Sequence, residues 1–141
     1  MQLVGDLLND KGTDIVSIGP DAAVAQAVDL MTERGIGSLL VMDDGLLRGI
    51  VTERDYTRKI VAGGMSIEDS RVGDIMTVDV YTTDIERNID ECMMLMTEKR
   101  IRHLPVVDGD KVLGVISIGD LMKAIISDNQ RALGTLDQLT D

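Results

Sequence analysis

At 141 residues the chain can form one ordinary domain, or two very small ones that share a core. Its formal net charge of -11 repels nucleic acid and anionic membrane surfaces, so neither is an expected partner, and any anionic ligand needs a local positive island. No apolar run approaches the roughly 18 residues of a membrane span, and the start MQLVGDLLND predicts no secretory signal.

In chain order, a lead-in VGDLL (4–8) precedes a short extended stretch at 15–18, and Asp21 stands at an expected helix N-terminus. Val24, Ala27, Val28 and Met31 recur at helical spacing and mark one apolar stripe, with Gly35 suited to the helix end. A near-continuous apolar run at 39–42 predicts a buried strand, DDG a turn, and 46–51 a second strand. A helix is expected from Thr52 to about Ala62, followed by the loop AGGMSIEDS. A second lead-in, VGDIM (72–76), then opens the same series again. It comprises an extended stretch at 78–82, Asp84 at a helix start, and the stripe Ile89, Cys92, Met93 and Met96. Strands at 104–107 and 112–116 follow around DGDK, then a helix from Ser117 to about Ser127. The final RALGTLDQLTD reads as a short helix or tail.

The two series align without a gap. LMTE at 30–33 lies over an identical LMTE at 95–98, and Ile36, Leu39, Val41, Asp43, Gly49 and Asp55 meet Ile101, Leu104, Val106, Asp108, Gly114 and Asp120. The predicted fold class is α/β (α+β), two β-α-β-β-α repeats packed as a pseudo-twofold pair. Residues 1–66 form the first repeat with its lead-in, 67–128 the second, and 129–141 a tail. A single copy leaves too much apolar helix surface exposed to stand alone.

Each repeat ends on one phrase, GIVTERDY (49–56) and GVISIGDL (114–121). Thr52 with Asp55, and Ser117 with Asp120, match the capping box, a hydroxyl at the N-cap and an acid three residues on. Capping alone leaves the preceding glycines unexplained, since a strand glycine signals close approach of a backbone or a ligand. A binding role is compatible with the cap: the hydroxyl and helix-start N–H groups suit a phosphate, and the carboxylate can accept both hydroxyls of a ribose diol. Arg48, Arg54, Arg58 and Lys59, and again Lys99, Arg100 and Arg102, supply short basic stretches that are either solvated helix faces or the required island.

The repeat, the twin G-h-h-[ST]-x-x-D endings and the stretch RIRHLPVV (100–107) resemble a pair of cystathionine β-synthase (CBS) domains over nearly the whole chain. The resemblance is greatest to short stand-alone CBS-pair proteins. It implies a regulatory module that binds adenosine nucleotides in clefts between the repeats, without an obligatory cofactor: AMP, ADP, ATP, NAD(H) or S-adenosylmethionine. One cleft would use Thr52, Arg54 and Asp55, backed by Arg58 and Lys59, with adenine against Thr82, Thr83, Ile101 and Arg102. The other would use Ser117, Gly119 and Asp120, with adenine against Ser17, Ile18, Ile36 and Gly37 and phosphate near Arg102, His103 and Pro105. Gly119 in one copy replaces Arg54 in the other, so the clefts are expected to be unequal.

His103 is either a hydrogen-bonded strand residue or a ligand contact, and Cys92, on the helix stripe, is expected in the core. A single cysteine permits no internal disulfide and suits a reducing, cytoplasmic setting. With one histidine and no nucleophile constellation or Walker loop, no enzyme is expected. The absence of Trp and Phe argues against base-stacking platforms. The resemblance also implies a homodimer, in a disk-like arrangement, through helices carrying Met31, Met93, Met94, Met96 and Met122. These methionines are otherwise core. A ligand-free dimerisation module is the competing function.

Overall fold

The computed structural model describes the backbone of residues 2–140 and the side chains of residues 2–130. Its elements run α1 (Val4–Lys11), β1 (Ser17–Ile18), α2 (Val24–Arg34), β2 (Ser38–Asp43), β3 (Leu46–Thr52), α3 (Glu53–Tyr56) with a π-helical turn at Thr57–Val61, α4 (Val72–Ile75), α5 (Ile89–Lys99), β4 (His103–Asp108), β5 (Lys111–Ser117) and α6 (Ile118–Thr140). This is the mixed α+β repeat expected. β1 pairs parallel with β2, β2 pairs antiparallel with β3, and β4 pairs with β5.

Several boundaries differ from expectation. The stretch at 78–82 forms no strand. Only Thr83 contributes, through a single parallel bridge to Val106. Asp21 and Asp84 are not N-caps. Ala23 and Asn88 take those positions, and the Asp84 carboxylate instead accepts the Glu86 N–H at 2.9 Å, closing a turn. The helix after Thr52 changes to π geometry at Thr57, and α6 runs on through the expected tail to Thr140. The tail's side chains beyond 130 lie outside the described residues.

The chain forms two compact units, and they do not follow chain order. One comprises 15–81 with 109–111, the other 1–14, 82–108 and 112–141. The expected division falls at 66/67 in chain order, whereas each compact unit combines one repeat with the lead-in that precedes the other. In the first unit Val24, Ala27 and Met31 of α2 bury against Leu39, Val41, Val51 and Ile60, and Val72 and Ile75 of α4 join them. In the second, Ile89, Cys92 and Met96 of α5 bury against Leu104, Val106, Ile116 and Leu121, together with Val4, Leu7 and Leu8 of α1. Both predicted stripes therefore face cores, while Val28 and Met93 are half-buried.

The lead-ins dock in one way. Val72 N donates to Ala22 O and Gly73 N to Pro20 O. In the same positions Val4 N donates to Arg87 O and Gly5 N to Ile85 O. Each start is closed by a carboxylate three residues on: Asp74 accepts the Arg71 N–H at 2.8 Å and Asp6 the Leu3 N–H at 3.0 Å. The end of α2 is turned by Gly35 in the left-handed region, and the end of α5 by Arg100 in the same conformation (φ 57°).

Candidate functional site

β3 and β5 each end on the hydroxyl residue of the repeated phrase, and the chain turns there into a helix. The Asp55 N–H donates to Thr52 Oγ1 at 3.1 Å, and Asp55 Oδ2 accepts the Thr52 N–H at 3.0 Å and its hydroxyl at 3.1 Å. The second copy repeats this: the Asp120 N–H donates to Ser117 Oγ at 3.1 Å, and Asp120 Oδ2 accepts the Ser117 N–H at 2.8 Å. Both are capping boxes, each contributing about 1 kcal/mol, and all four residues are half-buried.

The expectation that helix-start N–H groups await a phosphate needs correction. Glu53 N donates to Gly37 O at 3.1 Å and Ile118 N to Arg102 O at 2.9 Å. With the cap bonds to Asp55 N and Asp120 N, two of the first three helical N–H groups in each repeat are already satisfied within the unit. The same bonds hold Gly37 beside Thr52, and Arg102 beside Ser117.

The repeated glycines of the phrase also have a packing explanation. A Cβ on Gly49 would stand 2.7 Å from Thr77 O and 2.9 Å from Met76 Sδ, just past α4. A Cβ on Gly114 would stand 3.0 Å from Leu8 Cδ2 of α1. The backbone that comes close at Gly49 is thus the lead-in, and Gly114 likewise makes room for a lead-in side chain.

Those lead-ins also reach the two carboxylates, and here the copies diverge. Asp55 Oδ1 accepts the Thr77 hydroxyl at 3.2 Å. Asp120 Oδ2 is instead paired with the Lys11 ammonium, the last residue of α1, which also donates to Val115 O. Burial pushes the Asp120 carboxyl up, but the Lys11 and Ser117 donors outweigh it and hold the group below its ordinary range. Neither Lys11 nor Thr77 stood out in the sequence. The one available signal is that the first lead-in helix runs on to a lysine whereas the second stops after a single turn.

The remaining candidates divide by burial. Arg54, Arg58, Thr82, Arg102 and Gly119 are exposed, and Ile18, Ile36, Gly37, Ile101 and His103 are half-buried. Ser17, also exposed, pairs with Leu40 on β1. Lys59 is half-buried, and its ammonium donates to Ile75 O at 2.8 Å, at the C-terminus of α4, where a cation complements the helix dipole. The Thr83 side chain is buried, with Oγ1 3.4 Å from Cys92 Sγ, and its backbone pairs with Pro105 O and Val107 N. Pro105 is itself buried in β4. Thr82 and Thr83 line a cavity of about 180 Å³ with Arg87, Glu91, Cys92 and Leu95, smaller than the roughly 300 Å³ at which ligand pockets begin. Met31 and Met96 are core, whereas Met94 and Met122 are 71% and 52% exposed. Among the described residues there is no group of three His, Cys, Asp or Glu placed to hold a metal, and no helix long and apolar enough to cross a membrane.

The CBS domain family model matches residues 4–62 and 72–127. The mitochondrial CBS domain-containing protein CBSX3 of Arabidopsis thaliana is 40% identical over 122 residues, which span 83% of this chain and 59% of that protein. The solved structure of a protein with CBS domains from Burkholderia ambifaria MC40-6 superposes with a TM-score of 0.86 at 48% identity, covering 90% of this chain and 96% of that one. The CBS domain pair of protein MJ0100, solved with 5′-methylthioadenosine and S-adenosyl-L-methionine, superposes at 0.78 with 24% identity, over 91% and 98% of the two chains.

Proposed function

Because the chain belongs to the CBS domain family and carries two matched repeats, we propose that it is a regulatory module that binds adenosine nucleotides through Asp55 and Asp120. The observation that carries this is the twin cap: each repeat holds a half-buried carboxylate, fixed by its own helix start, beside a hydroxyl. Fixed carboxylates of this kind accept a ribose diol with little ordering cost. Thr52 and Ser117 serve the ribose or phosphate, and exposed Arg54, Arg58 and Arg102 supply positive charge on an otherwise acidic chain. Adenine is read by backbone around Ile36 and Gly37, and around Ile101. MJ0100 carries adenosine compounds on the same fold; at its identity this bears on the fold alone.

The experiment is titration calorimetry with AMP, ADP, ATP, NAD(H) and S-adenosylmethionine. Binding by at least one is expected, with Asp55→Ala and Asp120→Ala each weakening one site by about tenfold to a hundredfold, as charge-assisted hydrogen bonds contribute about 1.5–3 kcal/mol. No heat from any of them at millimolar concentration sinks the reading.

One observation favours the competing role of a constitutive dimer. Met94, Met122 and Ile126, on α5 and α6, are more than half exposed. A stable dimer by light scattering, with a melting temperature that no nucleotide moves, favours that role.

A further inference from the structure

We propose that Lys11 sets the order in which the two carboxylates accept a nucleoside, by occupying Asp120 and making it the weaker site. This rests on the nucleotide reading above. Asp120 Oδ2 already accepts the Ser117 N–H and the Lys11 ammonium. A carboxylate oxygen has two lone pairs, so this oxygen is full. A cis-diol that donates one hydroxyl to each carboxylate oxygen must displace one of the two donors. Ser117 N belongs to the helix cap, which leaves Lys11.

Lys11 does not yield freely. Its ammonium also donates to Val115 O in β5, and the helix that carries it is anchored in the core by Val4, Leu7 and Leu8. Asp55 Oδ2 likewise accepts two donors, the Thr52 N–H and hydroxyl, but the donors a diol would displace there, from Thr52 and Thr77, are hydroxyls. A hydroxyl rotates aside, and can accept a bond from an incoming ribose as readily as it donates one. The difference originates in helix length: α1 runs eight residues and ends on Lys11, whereas α4 runs four.

The test uses adenosine, which has the diol but no phosphate, so that losing the Lys11 charge acts through Asp120 alone. In the Asp55→Ala protein, which retains the Asp120 site, Lys11→Met is expected to tighten adenosine by about three- to fivefold, the worth of one partly exposed ion pair. Lys11→Gln should do the same, and Lys11→Arg should restore weak binding. With 2′-deoxyadenosine, which lacks one hydroxyl of the diol, no gain is expected. In the Asp120→Ala protein Lys11→Met should change nothing. Thermal melts establish that each variant is folded. Unchanged or weaker adenosine binding in folded Lys11→Met and Lys11→Gln proteins overturns the inference. If Asp55 still binds adenosine in that case, the nucleotide reading stands. If neither site binds any nucleoside or nucleotide in any variant, both fall together.

Discussion

Gly49→Ala tests whether the glycine of the repeated phrase serves the lead-in. The new Cβ would lie 2.9 Å from Met76 Sδ, which can swing away, and 2.7 Å from Thr77 O, which is backbone. Thr77 is held where it is by two bonds to Ile50, Ile50 N to Thr77 O at 3.0 Å and Thr77 N to Ile50 O at 2.8 Å. Pushing it back weakens both, at about 1 kcal/mol each, and overpacking adds about 1–3 kcal/mol. Alanine's lower chain entropy in a strand returns at most about 1 kcal/mol. The net expectation is a loss of about 2–5 kcal/mol, or about 6–20 °C in Tm for a chain of this size. Urea unfolding followed by far-UV circular dichroism measures it. Gly114→Ala is the internal comparison: its contact is a terminal methyl of the Leu8 side chain at 3.0 Å rather than backbone, so a loss of about 1 kcal/mol or less is expected. If Gly49→Ala unfolds within about 0.5 kcal/mol of the parent, the lead-in does not explain that glycine.

Asp120 is held below its ordinary range in the folded state, so its contribution to stability is complete at neutral pH and drains away as pH falls below about 4. Urea midpoints from pH 7 to pH 3 should decline less steeply in Lys11→Met than in the parent. Burial raises the Cys92 thiol above its ordinary value, outweighing the Thr83 hydrogen bond and the Arg87 charge. Ellman's reagent should therefore leave Cys92 unmodified in native protein while labelling it fully in urea. Lys59→Met removes the bond to Ile75 O and should destabilise by about 1 kcal/mol. A midpoint equal to the parent's would show that the bond contributes nothing.

The paired strands of each repeat and the helix stripes were legible because each lies on a single periodicity, whereas the stretch at 78–82 forms no strand. Val24, Ala27 and Met31 recur every third or fourth residue, and 39–42 and 104–107 are apolar on both faces. The helix starts were less so, because Asp84 and Asn88 are both good caps and Asp84 found another donor in Glu86. Which lead-in serves which repeat was not legible at all. The two docking surfaces make the same backbone bonds at Pro20 and Ala22 as at Ile85 and Arg87, so composition does not distinguish them and only the path of the chain decides. For the same reason the sequence showed Asp55 and Asp120 but not Thr77 or Lys11, whose contacts join segments far apart along the chain.

The traded lead-ins also bear on how the protein is made. Lys11 leaves the ribosome 109 positions before Asp120. At ordinary synthesis rates that is a wait of roughly 5–20 s. Throughout it, the apolar face of Val4, Leu7 and Leu8 has no completed core to enter, while the first repeat acquires its own borrowed turn, Val72 and Ile75, much sooner. The unit finished last is thus the one whose first piece was made earliest. A waiting amphipathic segment of this kind is what a chaperone holds, or what a neighbouring nascent copy captures by domain swapping.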